Sequence, residues 1–203
     1  MMTLYGFGRP SRASRVAWAL EEAGAEWDYV ATTPRAADLL ALNPLGKMPA
    51  LVDGELILTE SVACCSWVAT QNPDAGLIPE AGTPERARYD RFCSFVTTEL
   101  EQPLWTKAKH TFVLPEALRV DVRPAVVWEF ERAVAALSAW LGDRETLLAS
   151  GFSCADILCA HTLAWAETAG LGDHLPEALV SYRQRHLSRP AFGRALAREA
   201  SAQ

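Results

Sequence analysis

At 203 residues, half of them hydrophobic and 22% charged, the chain has ordinary globular composition, which excludes extended disorder and leaves room for a sizeable core in one domain or two packed ones. The net charge is -6, of which residues 1–75 carry -4 (five basic, nine acidic); there is no basic stripe of the kind nucleic-acid binding relies on, so nucleic acid is not an expected partner. No apolar run reaches membrane-spanning length, the amino terminus lacks the order of a secretory signal, and five cysteines with no Cys-x-x-Cys spacing point to a reducing cytoplasm.

Thr3-Leu4-Tyr5-Gly6-Phe7 is short, apolar and aromatic and runs into Gly8-Arg9-Pro10, the pattern of a buried strand ended by a turn. After Ser11, the residues Ala13, Val16, Ala17, Leu20 and Ala23 recur at steps of three and four before Gly24, which predicts a helix. Glu26 to Ala31 is expected as a second strand and Arg35 to Leu42 as a short helix. Ala50-Leu51-Val52 and Leu56-Ile57-Leu58 then flank Asp53-Gly54 as a hairpin, and a helix follows from about Glu60 to Gln71. The order so far is β-α-β-α-β-β-α.

Pro73, Gly76, Pro79 and Gly82 crowd one stretch, which marks a linker. Beyond Pro84 the pattern is helical throughout: Glu85 to about His110, Arg123 to Leu141, Cys154 to Ala169, Pro176 to His186 and Ala191 to Ala200. Within the second of these, Val127, Phe130, Val134, Leu137 and Leu141 form one apolar seam. Ser153 and Asp156, three apart at the start of the third, make a capping box with Asp in the usual Glu/Gln place.

Four local features stand in order along this framework: Ser11 ahead of Arg15-Val16, the run Asn43-Pro44-Leu45-Gly46-Lys47-Met48-Pro49, the pair Glu60-Ser61, and Ser153-x-x-Asp156. Each alone is common. Together they make the chain resemble the cytosolic glutathione transferases, of the serine type and bacterial kind, over essentially its whole length. The resemblance implies an α/β plus all-α architecture: a thioredoxin-like βαβαββα domain over residues 1–75, a linker over 76–84 and an all-helical domain over 85–203.

It also implies a chemistry. Glutathione, the expected co-substrate, offers a thiol, two carboxylates and an ammonium group. The thiol reacts as its thiolate, and lowering a pKa near 8.5 by about 2 takes roughly 2.7 kcal/mol of preference for the anion. By resemblance Ser11 is the hydroxyl that donates to the thiolate at the first helix N-terminus, where backbone N–H groups also favour negative charge. Ser14, one turn on, and Tyr5, in the first strand, compete for that role, and an alignment on Arg15-Val16 also sets the family's donor against Pro10. Read without the family, Ser11 is a plain N-cap.

Met48-Pro49 falls at the family's cis-proline position, where the residue before the proline turns its backbone toward the peptide. Lys47 beside it is expected to pair with the glycyl carboxylate. Glu60 and Ser61 are expected at the γ-glutamyl end, Ser61 giving its N–H and hydroxyl to the carboxylate and Glu60 accepting from the ammonium. The ordinary readings are a solvated lysine and a capped helix. Trp105, Lys109, His110, Phe112 and Trp165 are the candidates for the electrophile site, although aromatics at helical spacing are commonly core.

No cysteine occurs near the first helix, which favours attack of a held thiolate on an electrophile over thiol-disulfide exchange. The cysteines have no metal-site spacing, so no metal is expected. The expected function is conjugation of glutathione to a small hydrophobic electrophile by a cytoplasmic homodimer with no nucleic-acid or membrane partner. The alternatives are a non-catalytic glutathione-binding module, a thiol-disulfide reductase or peroxidase, and an isomerase, from whose Ser-Ser-Cys run Pro10-Ser11-Arg12 departs.

Overall fold

The computed structural model describes residues 1–202 and divides into two compact units: Met1–Pro79 together with the stretch from Leu187 onward, and Glu80–His186.

The first unit is built on one four-stranded sheet. β1 (Met2–Gly6) runs parallel to β2 (Trp27–Ala31) and antiparallel to β3 (Ala50–Asp53), which pairs antiparallel with β4 (Leu56–Thr59), giving the order β2-β1-β3-β4. α1 (Ala13–Ala23) and α2 (Ala37–Leu42) precede β2 and β3 respectively or follow β1 and β2 in the chain, and α3 (Ser61–Gln71) follows β4. This is the thioredoxin-like βαβαββα order. One detail of the hairpin differs from expectation: Asp53 is still paired, opposite Leu56, so the turn is Gly54-Glu55 rather than Asp53-Gly54. Gly54 takes the positive φ (61°) that a two-residue hairpin loop needs at its first position.

α1 is the centre of this unit. The sequence marks an apolar stripe, yet every residue from Ala13 to Leu20 is buried, Ser14 and Arg15 included. The reason lies at the far end of the chain. α9 (Pro190–Ser201) packs along the face of α1 that would otherwise meet water, burying Ala191, Ala195 and Glu199 at successive steps of four. Arg189 grips Glu22 with two hydrogen bonds of 2.5 and 2.8 Å, Arg194 reaches Glu21 at 2.8 Å, and Phe192 lies 4.7 Å from the Trp18 ring. Burial pushes the Glu22 carboxyl up, but bonds from Arg189 and Trp18 outweigh it and hold it below its ordinary value. Residues from 187 on, expected within the helical domain, therefore belong with the sheet.

The second unit is helical. A single helix was expected from Glu85 to about His110; the backbone instead forms α4 (Pro84–Phe95), a wide turn over Val96–Leu100, α5 (Gln102–Ala108) and a second wide turn over Lys109–Val113. Pro103 accounts for the first. It has no N–H and its ring crowds the carbonyl four residues back. The Glu101 N–H bonds instead to Val96 O, five residues back, at 2.8 Å. α6 (Arg123–Leu141) has the predicted bounds, with Val126 rather than Val127 on its buried seam. α7 (Cys154–Thr168) and α8 (Glu177–Leu187) complete the unit.

Ser153 and Asp156 form the expected capping box. The Asp156 carboxylate accepts from the N–H groups of Ser153 (2.9 Å) and Leu147 (2.8 Å) and from the Tyr182 hydroxyl (2.8 Å), all buried. Asp156→Ala strips these three donors and the Ser153 hydroxyl (3.1 Å) of their buried acceptor at roughly 1–3 kcal/mol each, so a loss of about 4 kcal/mol or more is expected. Urea unfolding followed by tryptophan fluorescence checks it; a loss under about 1 kcal/mol would contradict this account of the box.

Candidate active site

The sheet register brings the three short motifs of the first unit to one place. Tyr5 of β1 pairs with Ala50 of β3, and Ala50 pairs with Thr59 of β4. One step beyond this row lie Gly6, opening the loop to Ser11; Pro49, leading into β3; and Glu60, leading out of β4. Three segments far apart in sequence thus emerge at the same end of the sheet.

The loop after β1 is held closely. The Tyr29 hydroxyl accepts from Gly8 N–H at 2.9 Å, and burial pushes the Tyr29 phenol up to about 12. A Cβ on Gly6 would sit 2.3 Å from that hydroxyl oxygen and 2.8 Å from Ala13 Cβ, so only glycine lets strand, tyrosine and helix meet. The two serines that follow differ sharply. Ser11 is half-buried, and its Oγ accepts from Ala13 N–H at 3.2 Å, an N-cap-like bond that leaves its own proton to give. Ser14 has no exposure; its Oγ accepts from Ser11 N–H at 3.0 Å and donates to Glu199 Oε2 at 2.8 Å. A hydroxyl has one proton, and that of Ser14 is already placed. Tyr5 is half-buried within its strand.

Met48-Pro49 is a cis peptide. The segment before it is braced by buried Asn43, whose amide donates to Lys47 O at 2.7 Å and accepts from Leu45 N–H at 3.0 Å. Arg35 N–H donates to Gly46 O at 3.0 Å. Gly46 has φ 60°, and a Cβ there would fall 2.9 Å from the Arg35 Cα. The glycine is required twice over, by conformation and by space. Lys47 itself is exposed, with its backbone fixed beneath it.

Glu60 adopts φ 66°, one of two non-glycine residues with a positive φ among those described. Such a conformation costs on the order of 1–3 kcal/mol and persists where the surroundings impose it. It sets Ser61 at the start of α3, where Ser61 Oγ accepts from Arg15 Nη1 at 3.3 Å. Arg15 is fully buried. A guanidinium and the N-terminal end of α3 therefore share one point, and both favour an anion there.

The residues expected to meet an electrophile all lie in the second unit. Trp105 is on α5 and half-buried; Lys109, His110 and Phe112 follow on the wide turn, Phe112 being 68% exposed; and Trp165 is half-buried on α7. His110 Nδ1 accepts from Val120 N–H at 3.2 Å. A separate recess of about 530 Å³, lined by Phe95, Thr98, Trp128, Arg132 and Trp140 among others, contains none of these five. All five cysteines are buried, and burial drives the Cys64 thiol well above its ordinary value. No cluster of His, Cys, Asp and Glu among the described residues is arranged to hold a metal, and no helix among them is long and apolar enough to cross a membrane.

Two site residues escaped the sequence reading. Arg15 appeared there only as a landmark beside Val16. Glu199 was passed over as one charge of the last helix, although its spacing from Ala191 and Ala195 put it on the small-residue stripe of α9.

Fold and site together define a thioredoxin-like protein that gathers a hydroxyl, a cis-proline and a helix N-terminus at one end of its sheet, with a helical unit after it. Residues 1–70 match the family profile of the glutathione S-transferase N-terminal domain. Glutathione S-transferase GstA of Escherichia coli O157:H7 is 27% identical over 209 residues, 98% of each chain. A solved beta-class glutathione S-transferase from the bacterium Sphingomonas chungbukensis is 31% identical with a TM-score of 0.83, covering 97% of this chain and 98% of that one. A sphingomonad glutathione S-transferase solved in complex with glutathione is 30% identical over the same shares, also with a TM-score of 0.83. The chain belongs to the glutathione S-transferase family, a family of transferase enzymes.

The electrostatics of Glu199 give a pH prediction. Burial pushes its carboxyl from 4.5 up to about 7, and the bond from Ser14 offsets this only in part. A carboxyl raised in the folded state holds more protons there than when unfolded, so its contribution to stability is fully present below pH 4.5 and is lost as pH rises through about 7. Relative to Glu199→Gln, the unaltered protein should lose melting temperature between pH 4.5 and 8. Parallel melting curves for the two proteins would contradict this.

Proposed function

We propose that this transferase conjugates glutathione to small apolar electrophiles, with Ser11 as the hydroxyl that stabilises the thiolate. The observation that carries the reading is the register row Tyr5, Ala50 and Thr59. Because of it, the Ser11 turn, the cis Met48-Pro49 peptide and the Glu60-Ser61 helix start face one another across a single end of the sheet.

The chemistry assigned to each residue follows from its surroundings. Ser61, accepting from Arg15, keeps its own proton for the γ-glutamyl carboxylate, which also meets the α3 N-terminus. Glu60, exposed beside it, accepts from the ammonium. Met48 supplies backbone donor and acceptor to the middle of the tripeptide, and Lys47 meets the glycyl carboxylate as a point charge. That brings the cysteinyl sulfur to the turn at Ser11, whose O–H donates to the thiolate in a charge-assisted bond. With the thiol proton given up to water, the sulfur lone pair forms a C–S bond. Halide ion leaves from an aromatic halide, whereas in an epoxide or isothiocyanate the broken bond's electron pair goes to oxygen or nitrogen, which takes a proton from water. Ser14 is not assigned a part in this step, because its proton belongs to Glu199. By resemblance the candidates for contact with the electrophile are Trp105, Lys109, His110, Phe112 and Trp165, with exposed Phe112 the first to test.

Ser11→Ala should raise the pKa of the bound thiol and slow conjugation by about 10- to 100-fold, the value of one hydrogen bond to a charged group, with glutathione affinity nearly intact. Ultraviolet titration of the bound thiolate and steady-state rates on aromatic halides, epoxides and isothiocyanates check it. An unchanged titration would remove Ser11 from the role. Retention on immobilised glutathione without turnover of any electrophile would instead favour a non-catalytic binding module.

A further inference from the structure

Glu199 is an unusual residue in the first unit. The residue is 1% exposed, and its Oε1 has no hydrogen-bond partner among the described residues. An incompletely paired buried carboxyl is costly wherever an apolar side chain would fit. The positions one and two turns earlier on the same stripe of α9 are Ala191 and Ala195, both buried against α1. Packing alone therefore asks for a small apolar residue at this place.

Among the described residues the carboxyl makes a single bond, and that bond leads toward the site. Glu199 Oε2 takes the proton of the Ser14 hydroxyl at 2.8 Å. With its proton so directed, Ser14 Oγ presents lone pairs to the other side, and one of them accepts Ser11 N–H at 3.0 Å. The Ser11 carbonyl in turn accepts from Ser14 N–H at 3.0 Å. Ser11 is thereby held by both its N–H and its C=O to one residue, whose own rotor is locked by Glu199. Without the carboxyl, the Ser14 hydroxyl is free to turn its proton toward Ser11 N–H, where a donor meets a donor and the tie is lost.

We propose that Glu199 of the last helix is a positioning residue for the Ser11 hydroxyl, acting through Ser14. The carboxylate touches neither the thiol nor its partner in this scheme; it fixes which way a buried hydroxyl points, and so where the donor stands. The inference rests on the reading of Ser11 as thiolate donor. It adds that the donor's place is set by the end of the chain.

The sign of one measurement separates positioning from a simple field effect. Removing a negative charge near a thiolate makes the thiol more acidic. Displacing the hydroxyl that stabilises the thiolate makes it less acidic. Glu199→Ala is expected to raise the bound thiol pKa and lower kcat about tenfold, the scale of a weakened hydrogen bond to an anion, with the glutathione KM changed less than about threefold because the carboxylate-binding residues are untouched. Glu199→Gln keeps an acceptor for Ser14 and loses the charge, so its thiol pKa should stay at or below that of the unaltered protein.

Ser14→Ala cuts the same link from the other side and should match Glu199→Ala. The double variant Ser14→Ala with Glu199→Ala should be no worse than either single one, because both remove one interaction. Should Glu199→Ala not fold, Ser14→Ala carries the test with the same expected rise.

A thiol pKa in Ser14→Ala and Glu199→Ala equal to or below that of the unaltered protein, while Ser11→Ala still raises it, overturns this inference alone. If Ser11→Ala leaves the titration unchanged, the donor assignment falls and this inference falls with it. Additive effects in the double variant also overturn it.

Discussion

The pairing of β1 with β3 is the constraint on which the rest of the site depends. Strand register is quantised: a slip of one residue turns every side chain to the opposite face of the sheet. Leu4 and Leu51, paired and both buried, fix the register through core burial. Once they are opposite, Tyr5 must face Ala50, and Ala50 must face Thr59 through the β3–β4 hairpin. The convergence of the Ser11 turn, Pro49 and Glu60 at one end of the sheet is then settled by core leucines, without any contribution from the polar residues themselves.

That arrangement places demands on α1. The helix begins just after Ser11, with α3 and α9 both packed along it. A helix enclosed in this way usually carries apolar residues all round. α1 instead carries Ser14 and Arg15 among its alanines, Val16, Trp18 and Leu20. Each of these two polar side chains reaches a different neighbour: Arg15 goes to Ser61 at the start of α3, and Ser14 to Glu199 near the end of α9. The polar groups in the middle of the unit thus connect the site to the two helices that flank it.

The sequence reveals the parts that depend on local pattern. Short apolar runs bounded by turn residues marked β1 and the β3–β4 hairpin, and the 3-4 spacing and Gly24 marked α1. The Ser153-x-x-Asp156 box, with partners three residues apart, lay within reach of a local rule. What stayed hidden depends on distant segments. The sequence marks Ser14 only as a rival thiolate donor and Arg15 only as a landmark, because their partners Glu199 and Ser61 stand 185 and 46 positions later. The last helix was assigned to the helical domain by chain order, whereas the ion pairs of Arg189 and Arg194 with Glu22 and Glu21 hold it to the sheet. The wide turns of the second unit were missed for a different reason. Pro103 went unremarked inside the expected helix, and a proline there permits a break, a kink or an inserted residue, among which local pattern does not choose. The cis state of Met48-Pro49 was legible only by resemblance, since composition favours trans.

The hydroxyls of Ser11 and Ser61, the two proposed above to meet glutathione, share one feature. A hydroxyl both accepts and donates, and next to an anion only its donor side is useful. In this structure the acceptor side is already occupied from within the protein: Ala13 N–H reaches Ser11 Oγ, and the Arg15 guanidinium reaches Ser61 Oγ. A hydroxyl that accepts from one donor is polarised and donates more strongly to the next group. Ser14 presents the opposite case, with its acceptor side occupied by Ser11 N–H and its proton given to Glu199. Three serines near one end of one sheet therefore have separate roles, and what divides them is which protein group claims the proton. Residue type alone does not predict that division. It follows from the packing of α1 between α3 and α9, which brings the guanidinium to one serine and the carboxylate to another.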